Sequence, residues 1–480
     1  MIRTDSAAAG LYDDTASTVN RADLSTEPRD FVDFKIQMVY FVLGCAGLMP
    51  STLLFAVLPF FLNRVKGSPY AGLFSSYLSI ASTSAGFVCL AHATAVAKSS
   101  IPTRQTRRSI LALLAFTLMV TISALVPSTP DAYFMFIMFM TIFGAGTVSY
   151  LNSPVFAVAS IFGPRALQAV MIGQSAVGVV VNFVQLISAA ISLRTSGAKA
   201  VHVGRTPAET TAFICFTFAT CILCASLFAH TWLVKTPAYK ILIVPIENRL
   251  AAIGELEERH ALLGSSESTK ERESTKERLI RVAKANVLYE IAVAYVFIVT
   301  LSVFPPLTIE IKPVNPRFHP LLFAAAQILL FSLGDLFGRH LCSFPSLLIW
   351  APRKLLSLSL AHTLFIPLFV ACNLQLPSAS PAESPLLHLI SAVPNPAPLI
   401  NSDFIFFLIV FFFGTSNGYT STLCLLAAPS LQHNKNLKSK GDVDTAVNVG
   451  LFCMVGGLTI GSFASIGIRA IVCKCNPFVG

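Results

Sequence analysis

Inside the apolar run QILLFSLGDLFGRHLC, residues 327–342, stand one acid, Asp335, and one base four positions on, Arg339. At about 100° per residue, Ile328, Ser332, Asp335 and Arg339 fall within about 60° of one another on a helix and make a single polar stripe. An acid followed by a base at i and i+4 can pair. A carboxylate that accepts beside a guanidinium that donates can also hold an uncharged, hydroxylated molecule, each charge-assisted bond contributing about 1.5–3 kcal/mol. Which of these uses applies depends on whether the helix stands in water or in lipid.

Composition decides that question. Over 480 residues the chain is 54% hydrophobic and 12% charged, with mean hydropathy +0.70 and 38 Phe, against about 25% charged residues in soluble domains. A bilayer core needs about 20 apolar residues per helical crossing, and eleven such runs predict an all-α polytopic membrane protein. The one long hydrophilic insert, 235–285, divides the runs into six and five. The expected organisation is a cytosolic tail over 1–35 without the apolar core of a signal peptide, a six-helix bundle over 36–234, a cytosolic charged loop over 235–285 and a five-helix bundle over 286–480. With the tail inside, most of the 34 Lys and Arg fall on the cytosolic side, as membrane topology requires. The net charge of +10 is thereby explained, and no nucleic acid is invoked.

Charges at membrane depth are costly unless compensated or facing a wet cavity, so Asp335 and Arg339 are candidate functional residues. Several chemistries are excluded. There is no Walker A sequence and no HExxH, so neither an ATP-driven pump nor a zinc hydrolase is expected. The Gly-Asp of SLGDL resembles the signature of intramembrane aspartyl proteases, yet their dyad needs a second carboxylate on a facing helix, and the other Asp residues lie in the tail, in loops or at helix edges. The eleven Cys lack CxxC or zinc spacing; CKC at 473–475 reads as a disulfide or acylation candidate. No metal and no cofactor is expected, and no enzymatic activity. In the charged loop, the tandem repeat ESTKERESTKER (267–278) reads as a solvated helix or disordered linker whose Ser and Thr suit a kinase. EERHALL (257–263) has the form of an acidic dileucine signal read by a sorting adaptor.

GDLFGRHL is similar to the Asp-Trp-Leu-Gly-Arg signature on helix 8 of equilibrative nucleoside transporters, and three further stretches resemble that family in order and spacing: VTLSVFPPLTIEI (299–311), AHTLFIPLFVACN (361–373) and FFFGTSNGYTSTLC (411–424). In the first half LGCAGLMPSTLLFAVLPFF (43–61) resembles the family's helix 1, with Pro50, Ser51, Thr52 where the family has Pro-Trp-Asn. The span from LNSPVFAVASIF (151–162) to GQSAVG (173–178) resembles its helix 4 to helix 5 segment, with Asn152 where a substrate-facing Gln usually stands. His362 likewise replaces a family Arg.

The resemblance implies an eleven-helix carrier in a 6+5, major-facilitator-like arrangement that moves nucleosides, and sometimes nucleobases, downhill by alternating access. Asp335 and Arg339 suit the vicinal hydroxyls of a ribose, with Ser332 a further substrate-binding candidate on the same stripe; the resemblance implies that Asn152 faces the base and that Ser51, Phe304 and Leu458 stand at positions lining the pocket. Gln174 and Gln185 fall on one side of the fifth helix, as packing bonds or as further polar contacts. A carboxylate already paired with a guanidinium is a poor proton carrier, which favours facilitated diffusion. The alternatives are a proton-coupled carrier of nucleobases or other polar solutes, with Asp335 or Glu290 as the proton site, and a receptor or scaffold that no longer transports. The expected location is multi-pass in the lipid bilayer, of the plasma membrane or else of a vacuolar or endolysosomal membrane.

Overall fold

Prolines set where many of the helices begin. A proline's fixed φ suits the first helical position, where its missing N–H is not needed, and Pro102, Pro130, Pro164, Pro207, Pro320 and Pro352 each open a helix in the computed structural model. The structure describes residues 33–71, 74–96, 101–126, 128–196, 207–252, 267–374 and 399–473. Eleven helices, alone or with the short segment that continues them, are long and apolar enough to cross a membrane, and we number them by span: α1 Phe34–Ala56, α2 Phe74–Val96, α3 Pro102–Leu125, α4 Pro130–Phe162, α5 Pro164–Ser196, α6 Pro207–Lys235, α7 Glu267–Val303, α8 Pro320–Leu341, α9 Pro352–Ala361, α10 Asp403–Ala427 and α11 Lys440–Cys473. The all-α fold with eleven spans is the one expected.

Two spans are interrupted. Pro50 lies inside α1 and removes a backbone bond to the residue four positions earlier; α1 ends at Ala56 and a short helix, Leu58–Val65, completes the crossing. The ninth span passes from α9 through a 3-10 turn, His362–Leu364, into Phe365–Val370. Conversely, α7 is continuous from Glu267, so the ESTKERESTKER repeat is helical and the boundary drawn at 286 lies within one helix. EERHALL lies outside the described residues, as do residues 474 and 475 of CKC.

Close helix contacts need residues without side chains. On α1 and α5, a Cβ at Gly44 would stand 2.0 Å from the carbonyl oxygen of Val170, and one at Gly173 2.0 Å from that of Phe41. On α8 and α10, a Cβ at Gly334 would meet the Phe411 oxygen at 2.1 Å and one at Gly414 the Phe331 oxygen at 2.2 Å. Both pairs therefore touch backbone to backbone, which is how small residues pack helices in lipid.

The apolar core is unequally shared. Toward the end where α1 begins, Leu151, Val155 and Leu167 of the first six spans form one cluster with Leu425, Val447 and Leu451 of the last five. Toward the opposite end the core divides in two. Phe61, Phe74, Phe116 and Phe216 belong to a cluster drawn wholly from the first six spans, and Phe304, Phe323, Phe369 and Phe413 to one drawn wholly from the last five. The two groups are thus sealed together at the end that the basic residues assign to the cytosol, and pack separately at the other.

Candidate functional site

Helical register brings Asp335 and Arg339 together as expected: Arg339 Nε donates to Asp335 Oδ2 at 2.9 Å. Both are buried, at 8% and 7% exposure, and neither relies on the other alone. Ser175 of α5 donates to Asp335 Oδ2, and Asn417 Nδ2 of α10 donates to Asp335 Oδ1 at 2.7 Å. Arg339 Nη1 reaches the Met171 carbonyl of α5 at 3.2 Å. The compensation demanded of a charge in lipid is met by two neighbouring helices.

From Asn417 the bonds continue, and donor counting fixes their sense. An ionised carboxylate only accepts, so Asn417 turns its NH2 to Asp335 and its Oδ1 to Thr300, which donates to it at 2.9 Å. A threonine hydroxyl has a single proton. Thr300 therefore accepts from His362 Nε2, 2.9 Å away, while His362 Nδ1 faces Ser416 Oγ at 3.1 Å. His362 is buried, stacked on Phe413 with centroids 4.4 Å apart.

The α5 side of this assembly was not singled out in the sequence, apart from Gln174. Gln168, Ser175 and Asn182 are seven residues apart, about two helical turns, and all three face α8. Gln168 Nε2 donates to the Arg339 carbonyl at 3.0 Å and to Ser343 Oγ at 2.9 Å, Ser175 meets Asp335, and Asn182 Nδ2 donates to Ser332 Oγ at 2.7 Å. Ser332 in turn donates to the Ile328 carbonyl at 3.1 Å. The heptad spacing of polar residues in an apolar helix was the available signal. These bonds tie the first half of the chain to the second, as do Ser153 of α4 with Asn448 of α11 at 3.0 Å and the Phe87–Phe452 stack between α2 and α11 at 4.7 Å.

A second polar group lies within the first half. Asn152 of α4, half-buried, sets its Oδ1 2.3 Å from where a Cβ on Gly47 would be, and Gln174 Nε2 lies 3.5 Å from the same point. A side chain at Gly47 would have to displace the Asn152 amide from this position, whereas Gln174 lies at ordinary contact distance. Gln174 is buried at 7% exposure.

The remaining expected pocket residues are spread more widely. Ser51 is half-buried on α1, one turn beyond Gly47. Phe304 is packed in the apolar cluster of the second half and stacks on Phe331, centroids 4.3 Å apart, which places it beside the residue preceding Ser332. Leu458 packs partly buried against the core that both halves share. Among the described residues no group of three or more His, Cys, Asp or Glu has metal-binding spacing.

Set against known proteins, residues 134–470 match the sequence model of the family described as Nucleoside transporter. Equilibrative nucleoside transporter 1 of Homo sapiens is 28% identical over 222 residues, 45% of this chain and 42% of that protein, so the match spans less than half of that relative's length. Nucleoside transporter FUN26 of Saccharomyces cerevisiae is 23% identical over 475 residues, 92% of this chain and 86% of that protein. Among solved structures, a bacterial homologue of the iron transporter ferroportin in an outward-facing state aligns with a TM-score of 0.49 at 11% identity, covering 92% of this chain and 95% of that one. The major facilitator superfamily transporter FucP in its outward conformation aligns with a TM-score of 0.43 at 15% identity, covering 92% and 98%. The family match takes in both amides and the whole Asp335–Arg339 cluster, so the site and the sequence similarity fall on the same part of the molecule, and the chain belongs to the nucleoside transporter family.

Proposed function

We propose that the protein carries nucleosides across the membrane by facilitated diffusion with alternating access. The observation that supports this most is that Asp335 and Arg339 are bonded across the seam between the two halves, to Ser175 and to the Met171 carbonyl. A ribose presents vicinal hydroxyls that donate to a carboxylate and accept from a guanidinium. Hydroxyls that take the places of Ser175 and the Met171 carbonyl satisfy both charges while removing two of the bonds that tie α5 to α8. Binding and release of the seam are then one event, which is what a carrier requires.

In this reading Ser332 adds a hydroxyl on the same stripe, Asn152 faces the base, and Ser51, Phe304 and Leu458 contribute walls. The experiment is uptake of radiolabelled adenosine, uridine, hypoxanthine and uracil into vesicles holding the purified protein, with and without a pH gradient. Saturable adenosine or uridine uptake that the gradient leaves unchanged is expected. Uptake of none of the four refutes the reading, and uptake that an inward proton gradient drives above equilibrium replaces it with proton coupling.

The charged loop carries two partner proposals, a kinase acting on the Ser and Thr of 267–278 and a sorting adaptor at 257–263. Both require this loop in the cytosol. Residues 235–285 and 430–444 are therefore expected to resist external protease in intact cells, and tags within 194–210 and 375–402 to be cleaved. Cleavage within 235–285 would overturn the orientation.

A further inference from the structure

On α5 the polar side chains facing α8 are bonded, and one beside them is not. Gln168, Ser175 and Asn182 each donate to α8 or its following turn. Gln174, adjacent to Ser175 and more than nine-tenths buried, has no hydrogen-bond partner among the described residues, and neither does Asn152. Neither amide has an atom that is both fully enclosed and unpartnered, so the polar atoms of both retain some accessible surface. Gln327 of α8, whose two polar side-chain atoms are fully enclosed and unpartnered, shows that a missing packing bond alone marks no ligand; the Asn152–Gln174 pair differs in converging on Gly47 with polar atoms that are not fully enclosed.

We propose that Gln174 is a specificity-determining residue that reads the polar edge of the nucleobase together with Asn152. This inference rests on the nucleoside reading above. Its chemistry follows from the amides themselves. Each carries an acceptor oxygen and an NH2 donor on one planar group, interchangeable by rotation. Nucleobase edges set donors beside acceptors: adenine pairs an acceptor ring nitrogen with a donor amine, while hypoxanthine and uracil pair a donor ring N–H with an acceptor oxygen. Two amides that can each turn match either order, which one amide held by packing bonds cannot.

The placement also fits the length of the substrate. Ser175, which touches Asp335, and Gln174, whose Nε2 approaches Gly47 of α1, are consecutive on α5 and point about 100° apart, so one level of α5 presents one group to the sugar cluster and one to the α1 side. In a nucleoside a single glycosidic bond joins the sugar to the base. Gly47 completes the arrangement, since a Cβ there would collide with the Asn152 amide oxygen where it now stands.

The test is competition against labelled uridine by adenosine, inosine, uridine and methyl β-D-ribofuranoside, in vesicles carrying the full chain. Gln174→Leu is expected to raise the inhibition constants of the three nucleosides by about 5- to 150-fold and to leave that of the methyl riboside unchanged. Gln174→Asn, which keeps the amide but withdraws it by one methylene, is expected to fall between, and carries the same comparison should Gln174→Leu not fold. Unchanged nucleoside constants, or an equal loss for the methyl riboside, overturn the role given to Gln174. Failure of wild-type protein to bind any nucleoside overturns the carrier reading itself, a result distinguishable from the other two because it appears before any substitution.

Discussion

The Asp335–Arg339 cluster and the Asn152–Gln174 pair are both polar groups deep in an apolar molecule, and they are built in opposite ways. Every charged atom group of the first is engaged, by Ser175, Asn417, the Met171 carbonyl and the partner charge. The second has no bonds among the described residues. Ionised groups cannot wait unpaired in lipid, whereas neutral amides can face a small wet space at moderate cost. Under the proposed function the comparison separates two tasks: the charges would hold the halves together until a substrate replaces their partners, and the amides would discriminate what arrives.

The sharpest way to break this distinction is to remove a charge. Asp335→Ala and Arg339→Ala should each abolish most nucleoside uptake, because each removes a charged group proposed to hold the ribose; surface expression should fall but remain measurable, since the charge left unpaired costs about 3–5 kcal/mol. Exchanging the two residues should not restore it, since Ser175 and Asn417 suit a carboxylate at position 335. Normal uptake by the exchanged double variant would reduce the pair to a structural ion pair. A smaller effect is expected from Asn152→Leu, which removes the amide at nearly constant volume and leaves a base edge unpaired. That costs about 1–3 kcal/mol, or roughly 5- to 150-fold in apparent affinity for adenosine, inosine and uridine. Identical inhibition constants in wild type and variant would mean that Asn152 only packs helices.

The smallest effect sharpens the comparison instead. Gln168→Ala removes two neutral bonds of the α5–α8 seam, to the Arg339 carbonyl and to Ser343 Oγ and to no side chain proposed to touch the substrate, and should shift the balance between closed and open seam by about 0.5–1.5 kcal/mol. We expect a changed maximal rate with an unchanged ranking of substrates. A changed ranking would place Gln168 among the groups that touch the substrate.

How much of this was legible in the sequence follows from the range of each interaction. The spans and the Asp335–Arg339 pair are local: one needs only a run of apolar residues, the other only four positions on a helix. Ser175, Asn417, Thr300 and Gln168 act across helices far apart in the chain, and single polar residues in apolar runs do not announce their partners. The helical state of 267–278 was open for a related reason, because a repeat polar on all sides carries no periodicity; it is helical as the extension of α7. For Gln174 the sequence favoured packing bonds between helices over recognition; the structure gives it no such bond among the described residues and sets its amide near Gly47 with that of Asn152.

The glycine contact between α8 and α10 has a mechanical consequence. With Gly334 and Gly414 each facing an opposing carbonyl with no room for a Cβ, the two helices lie backbone to backbone, and a change that moved either one would be expected to carry the other with it as a single strut. Asp335 and Asn417, which bond each other, are both fixed to that strut. A force applied at Asp335 is therefore not absorbed by a local rotation but delivered along a rigid member about 33 Å long, the length of a 22-residue helix.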